Sequence, residues 1–228
     1  MGQPELDHTD VDGRSIAYRF RTGNAPTLVF FPGYASDMEG AKALALDAFA
    51  EQRGVAMLRF DYSGTGSSAG RFEDGTLERW LEEALAVVDR FAEGPLILIG
   101  SSMGGWIALH VAQLRPARLQ GLVGIAAAPD FTDWGAGRDG DELTPAFRES
   151  GQRLLLLNGL IAIDCPVRLI HGEADSDVPP EIAFRTMRSL RSPDVQTTII
   201  KDGGHRLSEP HEIATILRIV SDLLEPAA

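Results

Sequence analysis

The sequence predicts an α/β fold built on a mostly parallel sheet with helices on both faces. Three observations predict it. Continuous apolar runs recur near residues 27–32, 55–61, 95–100, 119–127, 166–171 and 196–201, and unbroken rather than alternating hydrophobicity is how strands buried on both faces read. Amphipathic segments at helical spacing separate those runs. An antiparallel hairpin opens the chain over residues 5–20, where Ile16, Tyr18 and Phe20 alternate with Ser15, Ala17 and Arg19 beyond an Asp12-Gly13 turn.

The helices carry their own signals. Ser36-Asp37-Met38-Glu39 reads as a capping box for a helix that Gly54 closes, with Ala41, Leu44, Ala45, Ala48 and Phe49 on its apolar face. In the next helix Leu77, Trp80, Leu81, Ala84, Leu85 and Val88 repeat at helical spacing, with Trp80 as core. Gly105 through Ala112 forms a third helical pattern, and a last one runs from Pro210 through Ile213, Ile216, Leu217, Val220 and Leu224. Residues 129–160 break the rhythm, since Asp, Gly and Arg surround Phe131, Trp134, Leu143 and Phe147 before four leucines follow. A connection that long reads as a short lid insert, or as a crossover helix with an irregular entry. The whole, residues 1–228, is expected to be a single domain.

Composition narrows the function. A chain of 228 residues, 44% hydrophobic, suffices for one well-buried core. A formal net charge of -12 with no basic cluster argues against nucleic acid or an anionic membrane surface as partner. Cys165 is the only cysteine, so no intramolecular disulfide forms, and its place just before an apolar run reads as a buried structural thiol. No spacing of His, Cys or carboxylates suggests a metal site, and nothing calls for a cofactor. The N-terminal residues show no basic apolar leader and no Arg-rich transit pattern, and the longest apolar stretches are too short to span a bilayer. A soluble, cytoplasmic protein without membrane insertion is expected; its oligomeric state is not legible.

The chemistry is concentrated in Gly100-Ser101-Ser102-Met103-Gly104, which lies between an apolar run and a helical pattern. That context makes it a nucleophile elbow: a sharp strand-to-helix turn lifts the Ser102 hydroxyl off the sheet, with glycines where a Cβ would collide. The same pattern recurs as Gly66-Ser67-Ser68-Ala69-Gly70, but five residues separate that copy from its strand and a polar, Gly-flanked segment follows it. It reads as a loop. Gly64-Thr65-Gly66-Ser67-Ser68-Ala69 also matches a loose dinucleotide fingerprint, a weak signal without the helix whose amino end would hold the pyrophosphate.

Activating a serine takes a base to accept its proton and an acid to orient that base, and on an elbow of this kind they follow in the order Ser, acid, His. His205 sits in a glycine-rich loop after the last strand and is the candidate base. His8, His110 and His211 lie away from strand carboxyl ends, and His171 precedes the acid loop, where it packs or hydrogen-bonds. The acid candidates are Glu173, Asp175 and Asp177 after the strand ending at His171, with Asp130, after the preceding strand, in reserve. An oxyanion hole needs two amides: Met103 at the helix start, and one from Pro32-Gly33-Tyr34, where Pro32 has none to give.

With these residues in hand, the chain resembles the α/β-hydrolase superfamily over nearly its whole length. It is most similar to the mitochondrial palmitoyl-protein thioesterase type, also described as an acyl-glucuronide esterase. Pro32-Gly33-Tyr34, Arg59-Phe60-Asp61-Tyr62-Ser63-Gly64, Gly94-Pro95, the elbow through Gly105-Trp106, and Cys165-Pro166-Val167-Arg168-Leu169-Ile170-His171-Gly172 carry the likeness. Its acid loop, His-Gly-x-x-Asp-x-x-Val-Pro, falls on residues 171–179 and singles out Asp175. The resemblance implies a serine hydrolase acting on acyl thioesters or esters of small-molecule or acylated-protein substrates. Ser102, Asp175 and His205 would be its triad, and the Tyr34 and Met103 amides its oxyanion hole. Phe131, Trp134, Leu143 and Phe147 are the candidate acyl-pocket residues. Many relatives have His where Pro32 stands, and the insert is shorter than that type's lid. General carboxylesterase or acyl-glucuronide esterase activity, an acyltransferase or peptidase on the same site, and a non-catalytic binding module on the same scaffold are the alternatives.

Overall fold

The computed structural model describes residues 2–135 and 143–224. Its strands, β1 Asp7–Val11, β2 Arg14–Arg21, β3 Asn24–Phe31, β4 Val55–Phe60, β5 Leu96–Ser101, β6 Leu119–Ile125, β7 Val167–Gly172 and β8 Val195–Ile200, form one sheet in the order β1-β2-β4-β3-β5-β6-β7-β8. The β1–β2 hairpin pairs Asp10 with Ser15 across the expected turn, and β2 joins β4 antiparallel. Every other pairing is parallel. Parallel strands bring their carboxyl ends to one edge, where the connecting loops converge.

Alternate residues of the central strands feed two cores. Leu28, Phe30, Met57, Ile97 and Ile99 pack with α1 (Ala41–Arg53) and α7 (Pro210–Leu224). Val29, Phe31, Leu58 and Leu98 pack with α2 (Leu77–Phe91) and α3 (Met103–Leu114). Both faces are thereby dry, which is why the strands read as unbroken apolar runs. In α2 the expected stripe is buried from Leu77 through Val88, except that Leu85 is only half-buried. Trp80 is fully buried and donates its indole N–H to the Ser63 carbonyl at 3.0 Å. Glu83 is also fully buried, its carboxylate accepting from Arg14 Nε at 2.7 Å and the Ser63 amide at 2.9 Å.

The first helix corrects two expectations. It begins at Ala41 after Gly40, not at Ser36, and Asp37 bonds the Glu39 amide at 2.9 Å in a local turn. Its core side is Ala43, Leu46, Asp47 and Ala50; Ala41 and Ala48 are exposed, and Leu44, Ala45 and Phe49 only half-buried. The reason is Asp47. Its Oδ2 lies 2.7 Å from Arg21 Nη2 and 3.7 Å from Arg59 Nη2, and Arg59 is fully buried. A periodicity that counts carboxylates as solvent-facing inverts where an ion pair is buried. Gly54 closes the helix as expected, with φ 66° in the left-handed region.

The stretch 129–160 contains α4 (Phe131–Trp134) and α5 (Pro145–Arg153), and α6 (Glu181–Ser189) follows the acid loop. Cys165 is half-buried, and burial pushes its thiol up to about 11. It stays protonated near neutrality and has no nucleophilic character there. Among the described residues no helix is long and apolar enough to cross a membrane.

Removing one member of a buried charge cluster leaves the other without compensation. Asp47→Ala is expected to destabilise the fold by about 3 kcal/mol, read as a lowered urea midpoint at unchanged slope.

Candidate active site

Ser102 stands between β5 and α3 with φ 53° and ψ -122°, a backbone conformation that costs a non-glycine residue about 1–3 kcal/mol. Its backbone is pinned by the end of β6 and the loop that follows: the Ser102 amide donates to the Ile125 carbonyl at 2.9 Å, and its carbonyl accepts from the Ala128 amide at 3.0 Å. The glycines are required by contact. A Cβ on Gly104 would lie 2.0 Å from the Phe31 carbonyl oxygen, and one on Gly100 2.4 Å from the Gly104 carbonyl oxygen. Gly33 is less tightly confined, for a Cβ there would lie 3.2 Å from the Ser101 carbonyl oxygen and 3.3 Å from the Ser102 Cβ.

Three loops bring the candidate groups together. His205 Nε2 lies 3.1 Å from Ser102 Oγ, and its Nδ1 lies 2.9 Å from Asp175 Oδ2. A carboxylate oxygen accepts only, so Nδ1 carries the proton and Nε2 faces the hydroxyl as acceptor. Asp175 Oδ1 accepts from the amides of Asp177 at 2.9 Å and Val178 at 2.8 Å. Burial pushes this carboxyl up, yet hydrogen bonds from His171, His205 and the Val178 amide outweigh it and hold the group well below the usual carboxylate range. Asp175 is buried, while Ser102 and His205 remain half-buried and open to a cleft.

The cleft has a volume of ≈ 470 Å³ and is walled by the β3–α1 loop and the His205 loop. Ser36, Asp37, Lys42, Arg206 and Ser208 give it a polar lining. Lys42, in the first turn of α1, donates to the Arg206 carbonyl and so ties α1 to the histidine loop. Sequence reasoning missed this wall, because no local signal connects residues 164 positions apart.

A hydrolase family described as "Serine aminopeptidase, S33" matches residues 24–137. "Palmitoyl-protein thioesterase ABHD10, mitochondrial" of Mus musculus is 36% identical over 92% of this chain and 79% of its own length. Among solved structures, mouse "Alpha/beta hydrolase domain-containing protein 10" superposes with TM-score 0.92 at 33% identity, covering 96% of this chain and 98% of that one. A putative hydrolase from Agrobacterium vitis S4 superposes with TM-score 0.89 at 39% identity, over 97% and 99% of the two chains. The chain belongs to the α/β-hydrolase family. It is an enzyme of that class.

In this hydrolase the remaining candidates lie elsewhere. Phe131 and Phe147 pack around the Tyr34 ring, with centroids 6.1 Å and 5.1 Å away. Leu143 and Phe147 are buried, and Trp134 donates its indole N–H to the Pro129 carbonyl at 2.7 Å. None of the four lines the cleft. The reserve acid Asp130 is buried at the exit of β6, where its two oxygens accept from the Leu156 amide at 2.8 Å and the Leu157 amide at 2.7 Å. Burial pushes that carboxyl up and the two amides bring it partly back. It clamps the base of the 129–160 stretch. Glu173 and Asp177 are exposed, as are His8 and His211. His110 is half-buried and its ring bonds the Leu154 carbonyl at 2.9 Å.

The second serine motif is held as a structural loop. Asp61 Oδ2 accepts from the Ser67 amide at 2.8 Å, and Ser68 Oγ donates to the Asp61 carbonyl at 2.7 Å. A Cβ on Gly66 would lie 2.1 Å from that Asp61 oxygen. The protein's own carboxylate fills the turn in which a dinucleotide fingerprint would seat a phosphate.

Two outcomes follow from these carboxylates. Asp130→Asn sets an amide N–H against a backbone N–H, so the hydrolase should lose about 1–3 kcal/mol of stability while folded protein keeps its turnover; loss of turnover without loss of stability would make Asp130 the acid. The lowered Asp175 group adds stability at pH above the ordinary carboxyl range, and that stability is lost as pH falls below about 4. Asp175→Asn should therefore be less stable than the parent at pH 7, and chemical denaturation should show the gap closing below that pH.

Proposed function

We propose that the chain cleaves acyl thioesters or carboxylic esters through a Ser102–His205–Asp175 triad and an acyl-enzyme intermediate. The single observation carrying this reading is His205, with one ring nitrogen 3.1 Å from Ser102 Oγ and the other 2.9 Å from Asp175 Oδ2. A non-catalytic binder has no use for that relay.

In this reading His205 Nε2 takes the Ser102 proton as Oγ attacks the acyl carbonyl, and the ionised Asp175 stabilises the imidazolium. The developing oxyanion is met by the Met103 amide, first of α3 and without an intrahelical acceptor, and by the Tyr34 amide beside Gly33. His205 then protonates the departing thiol or alcohol. Water, deprotonated by the same nitrogen, hydrolyses the acyl-enzyme and restores Ser102.

Two features bear on substrate. The likeness to proteins named palmitoyl-protein thioesterase supports acylated protein or small acyl thioesters. The polar wall of the cleft supports a substrate whose other half, beyond the scissile carbonyl, hydrogen-bonds extensively, as the polyhydroxyl sugar of an acyl glucuronide does and the alkyl group of a simple carboxylic ester does not.

A fluorophosphonate probe with peptide mapping is expected to label Ser102, and Ser102→Ala to lower turnover by about 10³-fold or more. An adduct elsewhere, or full activity in Ser102→Ala, overturns the reading. Palmitoyl thioesters, oxyesters of graded chain length, an acyl glucuronide and an amino-terminal peptide amide, compared by kcat/KM, then rank the substrate classes; preference for the amide would shift the reading to a peptidase.

A further inference from the structure

We infer that His171 is a positioning residue for this chemistry: from within the sheet it anchors the Asp175 carboxylate that orients His205, an inference that rests on the triad reading above. His171 is the penultimate residue of β7 and is 1% exposed. Its Nε2 lies 2.9 Å from the Val178 carbonyl oxygen and 3.2 Å from Asp175 Oδ2. A carbonyl and an ionised carboxylate only accept, so Nε2 carries a proton shared between them.

The donors to Asp175 come from different parts of the fold. Oδ1 is held by the amides of Asp177 and Val178, which belong to the same loop as Asp175 and move with it. Oδ2 is shared by two imidazoles, His205 at 2.9 Å and His171 at 3.2 Å. His205 is the group being positioned. Among these donors His171 alone stands in a strand, and β7 is paired on both sides, with β6 and with β8. By bonding both Asp175 and Val178, one ring nitrogen ties the start and the end of the acid loop to the sheet. Two imidazoles on one oxygen also leave the carboxylate a single orientation in which both bonds persist. His205 then meets an acceptor fixed relative to Ser102, whose own backbone is pinned to β6. Displacements near 1 Å between reacting groups cost about 10²-fold in rate, so the anchor acts on turnover rather than on substrate binding.

The test compares His171→Leu, which keeps bulk and removes the donor, with His171→Gln, whose amide nitrogen reaches close to the original Nε2 position, and His171→Asn, whose amide falls short. Steady-state hydrolysis of an activated ester, the rate of fluorophosphonate labelling of Ser102, and thermal melting are measured on each. The Leu and Asn variants are expected to lose about 10–100-fold in kcat and in labelling rate with KM within about twofold, and the Gln variant to return within about threefold of the parent. A purely structural role would lower melting in all three without separating Gln from Asn. The inference is overturned if folded His171→Leu turns over within twofold of the parent, or if Gln and Asn lose kcat equally. Where Leu fails to fold, the Gln–Asn comparison decides alone. Ser102→Ala in the same assay separates the two readings: an inactive Ser102→Ala beside a fully active His171→Leu overturns only the anchor, and an active Ser102→Ala overturns the triad itself.

Discussion

The close approach of three backbone segments at the head of α3 is the constraint on which the rest of the site depends. The exit of β3, the exit of β5 and the first turn of α3 meet where only hydrogen atoms fit, and a single methyl at Gly104 would overlap the Phe31 carbonyl. Ser102 takes up the geometric cost as a positive φ. That strain persists because α3 is buried nearly all round, from Met103 through Ala112, and because the end of β6 and the loop after it hold the Ser102 backbone through Ile125 and Ala128. The same approach of β3 and β5 sets Gly33 beside Ser102, with a Cβ there 3.3 Å from the Ser102 Cβ.

Four aspartates show how little a residue's type says about its task. Asp47 is buried because two guanidiniums face it. Asp61 is buried to hold a loop, with the Met38 amide on one oxygen and the Ser67 amide on the other. Asp130 receives two amides and no imidazole. Asp175 receives two amides and two imidazoles, and its carboxyl is held low, whereas burial leaves those of Asp61 and Asp130 raised. The donors tell them apart: Asp175 alone of the four carries ring N–H groups, as the acid of the proposed triad must, whereas Asp61 and Asp130 hold backbone amides and organise the chain around them.

Much of the architecture was legible because it follows from local rules. The strands announced themselves through two-sided burial, and the order in which this topology presents its loops led to expecting Ser102 and His205 side by side, where the structure places them 3.1 Å apart. What escaped depended on partners distant in sequence. The face of α1 was misread because Asp47 points inward to Arg21 and Arg59, and its start because Ser36 and Glu39 imitate a cap that the chain does not use. Nothing local to Phe131 and Phe147 says which ring they meet: aromatic side chains satisfy themselves against one another, and here the two gather on Tyr34, which lines the cleft. The role of Asp130 required knowing that residues 156 and 157 return to it. His171 was expected to pack or hydrogen-bond at the acid loop, but its share of the Asp175 oxygen is a matter of geometry.

The correction at α1 bears directly on the site. Because the helix begins at Ala41, residues 36–40 run as loop, and Ser36, Asp37 and Gly40 wall the cleft. The rotation of the helix matters as much as its start. The expected face and the observed one are offset by two positions, roughly 200° around the axis at about 3.6 residues per turn. Turned to the expected face, α1 would carry Lys42 away from the Arg206 carbonyl and release the histidine loop on that side. The observed rotation is fixed by Asp47, which must meet the buried Arg59 guanidinium, itself bonded to the Met38 carbonyl at 2.7 Å just ahead of the helix. A buried ion pair on the far side of α1 thus sets where the wall of the cleft stands and how the loop carrying His205 is braced. The charge that sequence periodicity assigns to solvent is one of the groups that shapes the active site.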